Sequence, residues 1–346
     1  MKPKPAIAFL SLLICAGTYA QHPFRVMFYN VENLFDVEDE PGKQDDEFTP
    51  GGFRHWNNHR YYRKLNNLAK VITSLGEWET PALIGMCEVE NEKTVDDLTL
   101  HTPLKKMSYR YVMTDSDDAR GIDVALLYQR DRFKYLAHNC LPVVLPGAPQ
   151  RKTRDILHVT GEVATGDTLD VFVCHFPSRR GGEQESAPKR RHAATVVRAE
   201  VERLTSVRLR ANIVIMGDFN DEPSSGSLSE GLEAILPEAG TKNDRTKLYN
   251  LFLPVEKASR RGSFKFRGEW NLLDQVIVSG DLLNPLHPFR ALPETATVFQ
   301  ADFLLTRDAS HGGKRPRKTF HGYRYEGGYS DHLPVFVDFL TLHRLR

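Results

Sequence analysis

A chain of 346 residues with 46 basic and 45 acidic side chains is long enough to bury a large core as one or two domains. It is also too evenly charged to bind nucleic acid through a generally basic surface, although a local groove is compatible with this balance. Its four cysteines show no metal-type spacing with histidine, so any metal here is expected to be hard and oxygen-ligated.

Met1–Ala20 reads as a secretory signal peptide. Lys2 and Lys4 form the charged start, Ala6–Ala16 the apolar core, and Thr18-Tyr19-Ala20 a cleavage site before Gln21. The apolar run is well short of the roughly 20 residues that span a bilayer. Ile14, before Cys15, is not the small residue expected of a lipid-attachment box. The expectation is a secreted or periplasmic protein with no membrane anchor after cleavage, which takes the formal charge from +1 to −1.

Buried strands are predicted over Arg25–Val31, Ala82–Val89, Asp123–Tyr128, Leu169–His175, Ile213–Met216, Leu272–Ser279 and Leu333–Leu340, each a mostly apolar run. Cys87 and Cys174 fall inside two of them and read as small buried hydrophobes rather than a disulfide pair. Leu65, Leu68, Ala69, Ile72 and Leu75 recur at helical spacing, which predicts an amphipathic helix over Arg60–Leu75. A second helix is predicted over Lys189–Leu204, with Pro188 near its start. The acidic segment 36–52 reads as a surface excursion; its cluster Asp45, Asp46 and Glu47 suits a solvated loop better than a calcium site. No internal repeat or long linker divides the chain. Many strands and few helices predict an α/β (α+β) fold in one domain over 21–346, with a sheet-on-sheet core flanked by helices.

The chemistry sits at the strand ends. Arg25–Val31 carries Asn30 near its close; Ala82–Met86 leads into Glu88, Val171–Cys174 into His175, and Ile213–Met216 into Asp218 and Asn220. Asp218 and Asn220 are two apart, so in an extended chain their side chains share a face. Asp274 places a carboxylate inside an apolar strand, which is costly unless it is paired or metal-bound. Ser330-Asp331-His332 precedes the last strand. Singly, each has an ordinary explanation: Asn30 and Asn33 as turn formers, Glu88 as a cap, His175 as a satisfied core histidine, Asp274 in a salt bridge, Asp331 in an Asx turn. Occurring together at successive strand ends, they point to a phosphate- or metal-binding site.

The set resembles the endonuclease/exonuclease/phosphatase superfamily from YNVENLFD (29–36) to SDHLPVFVDF (330–339), with GDFN (217–220) and SDHLPV (330–335) the specific pair and CEVEN (87–91), CHFPSR (174–179) and LLDQVIVS (272–279) in support. The resemblance implies a four-layer sandwich of two mostly antiparallel sheets flanked by helices, hydrolysing phosphoesters with Mg²⁺ (or Mn²⁺). By the same resemblance, Glu88 is the principal metal carboxylate, with Asn30 and Asp331 in the metal's surroundings. Asp218 and Asn220 orient water and bind phosphate, His332 is the essential histidine oriented by Asp274, and His175 is a second histidine. The general base is left open between Asp218 and a histidine.

Arg179 and Arg180, with Lys189, Arg190 and Arg191, form a basic stretch read as a phosphate-gripping wall or, equally, a solvated face. The run 314–318 with His321, Tyr323 and Tyr325 offers charge and stacking for single-stranded nucleic acid. The leading expectation is a nuclease with nucleic acid as its partner and no stable protein partner. The runner-up is a phosphatase or sphingomyelinase-like phosphodiesterase. Met216 before and Asp221 after the Gly-Asp-x-Asn motif depart from the inositol-phosphatase pattern. A catalytically dead binding module is disfavoured because every charged site residue is present.

Overall fold

The computed structural model describes residues 23–76, 80–145, 147, 153–237, 243–258 and 262–342. The signal segment, Cys15 included, lies outside them. In the first half of the chain, β1 (Phe24–Leu34), α1 (Asn58–Leu75), β2 (Leu83–Val89), α2 (Glu92–Leu100), β3 (Arg110–Met113), β4 (Asp123–Tyr128), β5 (Phe133–Leu141), β6 (Ile156–Val163) and β7 (Thr168–His175) follow one another. Next come α3 (Glu183–Val207), β8 (Ile213–Asp218), β9 (Ala234–Ile235), β10 (Leu248–Asn250), α4 (Leu253–Ala258), β11 (Phe264–Phe266), β12 (Glu269–Asn271) and β13 (Asp274–Ser279). The chain closes with β14 (Phe289–Val298), β15 (Leu305–Arg307), β16 (Lys314–Pro316), β17 (Phe320–His321), β18 (Arg324–Tyr325) and β19 (Val335–Thr341).

Two mixed sheets carry the fold, in strand orders β14-β19-β1-β2-β4-β3 and β5-β6-β7-β8-β13-β10-β9. Their pairs are antiparallel except β1–β2, β7–β8 and β9–β10. The sheets meet face to face, as shown where Gly85 of β2 receives Met216 of β8; a Cβ on Gly85 would lie 2.8 Å from the Met216 sulfur. The buried side of α1, with Tyr61, Leu65, Leu68 and Ile72, joins the core of the first sheet. Ala193, Ala194, Val197 and Val201 of α3 cover Phe172 and Ile215 of the second. The result is the expected helix–sheet–sheet–helix layering.

Parallel neighbours need a crossover, and α1 and α3 supply it for β1–β2 and β7–β8. Helix α1 begins two residues before the predicted start because the Asn57 side chain caps it, accepting from the Arg60 backbone N–H at 3.1 Å. Helix α3 begins at Glu183 rather than Lys189, straight after Gly181-Gly182, so Pro188 lies inside it. A proline within the second turn removes only one backbone bond. Several strands went unread because their patterns are mixed. Strand β5 is an exposed edge, and β14 carries Pro293 within a register shift between Leu292 and Thr297. The segment 36–52 is anchored rather than fully solvated: Phe48 stacks on Phe35 at 4.4 Å, and Asp45 is buried, accepting from the Glu40 N–H at 2.9 Å. Cys87 and Cys174 are free and buried, as expected, and Cys140 is free and exposed. No helix among the described residues is long and apolar enough to cross a membrane.

Candidate active site

Strand register assembles half of the site. His175 of β7 pairs with Asp218 of β8, and Asp218 pairs with Asp274 of β13, so three polar side chains stand in a row across adjacent strands. Gly217 permits the approach: a Cβ there would lie 2.5 Å from the Cys174 carbonyl oxygen. Asp218 Oδ1 accepts from the Asn220 N–H at 2.9 Å, while the Asn220 amide donates to the Phe176 carbonyl at 3.0 Å. His332 arrives from the loop before β19. Its Nδ1 is 2.7 Å from Asp274 Oδ2 and its Nε2 is 3.8 Å from Asp218 Oδ2. The Ser263 hydroxyl accepts from the Leu273 and Asp274 N–H groups, and Phe264 stacks on the His332 ring at 4.7 Å, which locks the histidine to the strand bearing its carboxylate.

The first sheet supplies the other half. Asn30, near the end of β1, donates from Nδ2 to Asp218 Oδ2 at 3.0 Å and to Glu88 Oε1 at 3.3 Å, linking the two sheets. Glu88 Oε2 accepts from the Asn33 N–H at 2.9 Å. A bulge between Cys87 and Val89 turns Glu88 toward the cleft. Among the described residues, four of the eight non-glycine residues with positive φ are here: Glu32, Asn33, Glu88 and Asn220. Asn tolerates left-handed backbone, but for Glu32 and Glu88 it is costly and persists where surrounding structure enforces it.

Burial and charge push the titratable groups apart. Burial raises the Asp218 carboxyl to about 7, with the Asp274 charge acting the same way against His332 and the hydrogen bonds from Asn220 and Asn30. For His332, burial opposes the charge, but Asp274, Asp218 and Asp331 outweigh it and hold the imidazole protonated well above its ordinary range. His175 shifts the other way: burial, then Arg154 and Arg120, push it well below the ordinary value. A charged and a neutral imidazole therefore flank one carboxylate, each with Nε2 3.8 Å from Asp218 Oδ2.

Sequence reasoning missed several residues of this region. Buried Lys64 of α1 sits 2.6 Å from Thr319 Oγ1 and 4.0 Å from Glu32 Oε2. Burial raises Glu32 to about 7 and lowers Lys64, although the Glu32, Asp331 and Glu88 charges support the ammonium. A lysine four residues before Leu68, on the apolar stripe of a helix, was a legible signal. Ser263, Phe264 and Arg154 carried none.

The basic stretch divides. Arg190 is fully buried, its Nε 2.8 Å from Asp221 Oδ2, its Nη1 on Ser186 Oγ and its Nη2 on the Glu183 carbonyl, so it braces the fold instead of facing a groove. Arg191 pairs with Glu230 at 2.9 Å. Arg179 spends its guanidinium on the Asn220 carbonyl and on Asn271, Glu183 and Asp221. Arg180 and Lys189, by contrast, line a cavity of about 750 Å³ with Arg120 and Arg154. The cavity adjoins His175, because Pro177 and Ser178 also line it and Arg154 donates to the Phe176 carbonyl. The 314–318 run is ordered, with Lys314 on Asp302 at 2.7 Å and Arg315 on Glu326 at 2.8 Å.

Carboxylates and histidines lie close enough to hold a metal ion. Cys87–His175–Asp218 and Asp218–Asp274–His332 each bring three donor atoms within 4.8 Å of one another. The Cys87 sulfur is a soft donor, and the His332 Nδ1 is already engaged by Asp274 at 2.7 Å, so neither trio is an all-oxygen set of the kind a hard cation prefers. Glu88, a carboxylate that accepts from the Asn30 amide nitrogen at 3.3 Å, is an oxygen donor of the kind that a hard cation taking one or two carboxylates prefers, whereas the Asn30 Oδ1 already accepts from the Glu32 N–H at 2.9 Å. Asp45, Asp46 and Glu47 join no such trio among the described residues.

The family model described as "Endonuclease/Exonuclease/phosphatase family" matches residues 25–341. A search of curated protein sequences finds no match. Among solved structures, the chain is similar to D. rerio TDP2 humanized by 14 mutations, with TM-score 0.56 and 14% identity over 92% of this chain and 98% of that one. It is similar to the human nocturnin catalytic domain with bound sulfate at TM-score 0.53 and 16% identity, over 92% and 95% of the two chains. A Bacteroides thetaiotaomicron mannosyl-6-phosphatase gives TM-score 0.56 and 16% identity, over 91% and 99%. At these identities the likeness speaks for the fold.

Proposed function

Because the chain belongs to the endonuclease/exonuclease/phosphatase family, whose members are metal-dependent phosphoester hydrolases, we propose that it is an exported phosphodiesterase, contained in a single domain over 21–346, that hydrolyses nucleic acid. The observation that carries this reading is the pair of imidazoles set on either side of Asp218, each with Nε2 3.8 Å from its Oδ2, with His332 held by Asp274 at 2.7 Å and the two rings pushed in different directions by their surroundings. Pairs of groups driven apart in pKa mark acid–base work.

Asp218, raised to about 7, is matched to take a proton from water near neutral pH. Asn220, fixed by its bond to Phe176, keeps its amide oxygen for the same water. The His332 imidazolium, oriented by Asp274, offers Nε2–H to a phosphoryl oxygen whose charge grows in the transition state. Neutral His175 keeps the opposite wall polar without repelling the attacking water. Glu88 and Asp331 would hold Mg²⁺ or Mn²⁺, with Asn30 orienting Glu88 through its Nδ2, and the ion would supply charge neutralisation of phosphate and leaving group. Arg180 and Lys189 supply cations for neighbouring phosphates.

The cavity beside His175 favours a second reading, a phosphatase for a small phosphorylated molecule, because its volume suits such a ligand. The test offers plasmid DNA, single-stranded DNA, RNA, an inositol polyphosphate, a sugar phosphate and sphingomyelin to the chain from Gln21, with and without Mg²⁺ or Mn²⁺. Metal-dependent cleavage of nucleic acid, lost in Asp218→Ala, is the expected result. Turnover confined to the monoesters or the lipid would overturn the nuclease reading in favour of the corresponding branch.

A further inference from the structure

A second, smaller cavity of about 260 Å³ adjoins the catalytic cluster on the side of the first sheet. Asn33 and Asp331 line it, the one donating to Glu88 and the other preceding His332. The rest of its wall includes Arg54, Lys318, Phe320 and Gly322. One residue beyond Arg54 and one beyond Gly322 stand Phe53 and Tyr323, 83% and 77% exposed, the most exposed aromatic side chains among the described residues. Their rings come from separate segments yet meet at 6.5 Å, tilted by 46°.

The support beneath them is firm. The Arg54 guanidinium lies over the rings of Phe48 at 4.9 Å and Phe320 at 4.8 Å, and it bonds Glu47 and the Gly322 carbonyl. Gly322, at φ 59°, opens the two-residue turn between β17 and β18 and so sets Tyr323 at the hairpin tip. Tyr325 packs inward on Phe320. Phe53 and Tyr323 thus sit exposed on a rigid base, although burying an aromatic ring is among the more favourable things a fold can do. Lys318 lines the cavity and makes no ion pair among the described residues, and Arg324, next to Tyr323 in sequence, is 79% exposed and paired with Glu326 at 3.0 Å. Exposed rings next to cations, borne by the residues adjoining a cavity that Asn33 and Asp331 also line, match the chemistry of an unpaired nucleic-acid strand.

We infer that Phe53 and Tyr323 form a stacking platform for unpaired bases flanking the scissile phosphate, with Lys318 facing the adjoining backbone phosphate. The inference rests on the phosphodiesterase reading above, and it makes single-stranded nucleic acid the preferred substrate.

The experiment separates the two. Affinity of the chain from Gln21 for a dye-labelled single-stranded oligodeoxynucleotide is measured by anisotropy in EDTA, where no turnover occurs, alongside an abasic strand of equal length and charge. Cleavage in Mg²⁺ is measured separately. The double variant Phe53→Ala/Tyr323→Ala is expected to bind the base-bearing strand at least about tenfold more weakly, given the usual worth of base stacking. Its binding of the abasic strand should be unchanged, its melting temperature unaltered, and Tyr323→Phe should retain affinity. Equal weakening toward both strands, or none, overturns the platform whether or not the protein proves to be a nuclease. Loss of binding to phosphatidylglycerol vesicles with oligonucleotide affinity intact would also overturn it and assign the rings to a lipid surface.

Discussion

The fold uses the same crossing twice, and the two copies differ in one buried cation. In β1–α1–β2 the helix buries Lys64; in β7–α3–β8 it buries Arg190. Arg190 meets Asp221 at 2.8 Å and donates to Ser186 Oγ and the Glu183 carbonyl on α3 itself, tying the helix to the turn just after Asp218 and Asn220. Lys64 has looser company: a hydroxyl at 2.6 Å, a carbonyl at 3.5 Å and a carboxylate at 4.0 Å. A guanidinium is a permanent charge in a fixed fork, whereas a buried ammonium can give up its proton. The second crossing is therefore braced where geometry must hold, and the first keeps an adjustable charge beside Glu88 and Asp331, where the cation is proposed to bind.

The largest expected effect falls on the second crossing and its neighbour β13. Asp274→Asn removes the charge that holds His332 protonated and oriented, and should lower kcat by about 10²- to 10⁴-fold with little change in KM; steady-state kinetics would show it. An unaltered kcat would remove His332 from the chemistry.

Arg190→Met comes next. It removes the nearest cation from buried Asp221, leaving Ser227 at 2.6 Å and Arg179 at 3.6 Å, a loss of about 2–4 kcal/mol in stability by denaturant titration. If the variant is as stable as the parent, the brace is illusory and the contrast between the helices fails.

Lys64→Met is expected to cost less, about 1–3 kcal/mol, and to do so in a pH-dependent way. The Glu32 carboxyl, raised to about 7 in the fold, binds its proton more tightly there than in the unfolded chain, so its contribution falls as pH rises from the unfolded value through about 7. Without Lys64 nothing opposes that charge from the helix. The stability deficit should be smallest near pH 5 and grow toward pH 8, while the Mg²⁺ concentration for half-maximal activity falls several-fold. A deficit independent of pH would mean that Lys64 and Glu32 are not coupled.

The smallest effect lies outside both helical braces. Arg180→Ala and Lys189→Ala should each raise KM for an oligonucleotide a few-fold and flatten its salt dependence by about one unit of log–log slope, with kcat preserved.

How much of this was legible follows from the period of the elements. Ile213–Met216 and Leu169–His175 declared themselves as buried strands because they are covered on both faces, and the polar residues closing them were visible as interruptions of apolar runs. Strand β5, open to solvent, and β14, broken by Pro293, offered no such run. Among the basic residues, Arg180, Arg190 and Arg191 look alike in sequence, yet one faces a cavity, one is entombed and one pairs on the surface. Helical phase and the position of Asp221, fixed by a different strand, separate them.

The sequence by itself determined the alternation of apolar runs and polar ends, and with it the family, the layering and the residues that converge. These are local properties, set by which side chains prefer to leave water and which do not. It took the folded chain to show that His175, Asp218 and Asp274 stand in register, that the surroundings of the two histidines favour a neutral ring for one and a protonated ring for the other, and that Phe53 meets Tyr323. Register, burial and the neighbours of a charge depend on segments dozens to hundreds of residues apart, and no short window of sequence contains them.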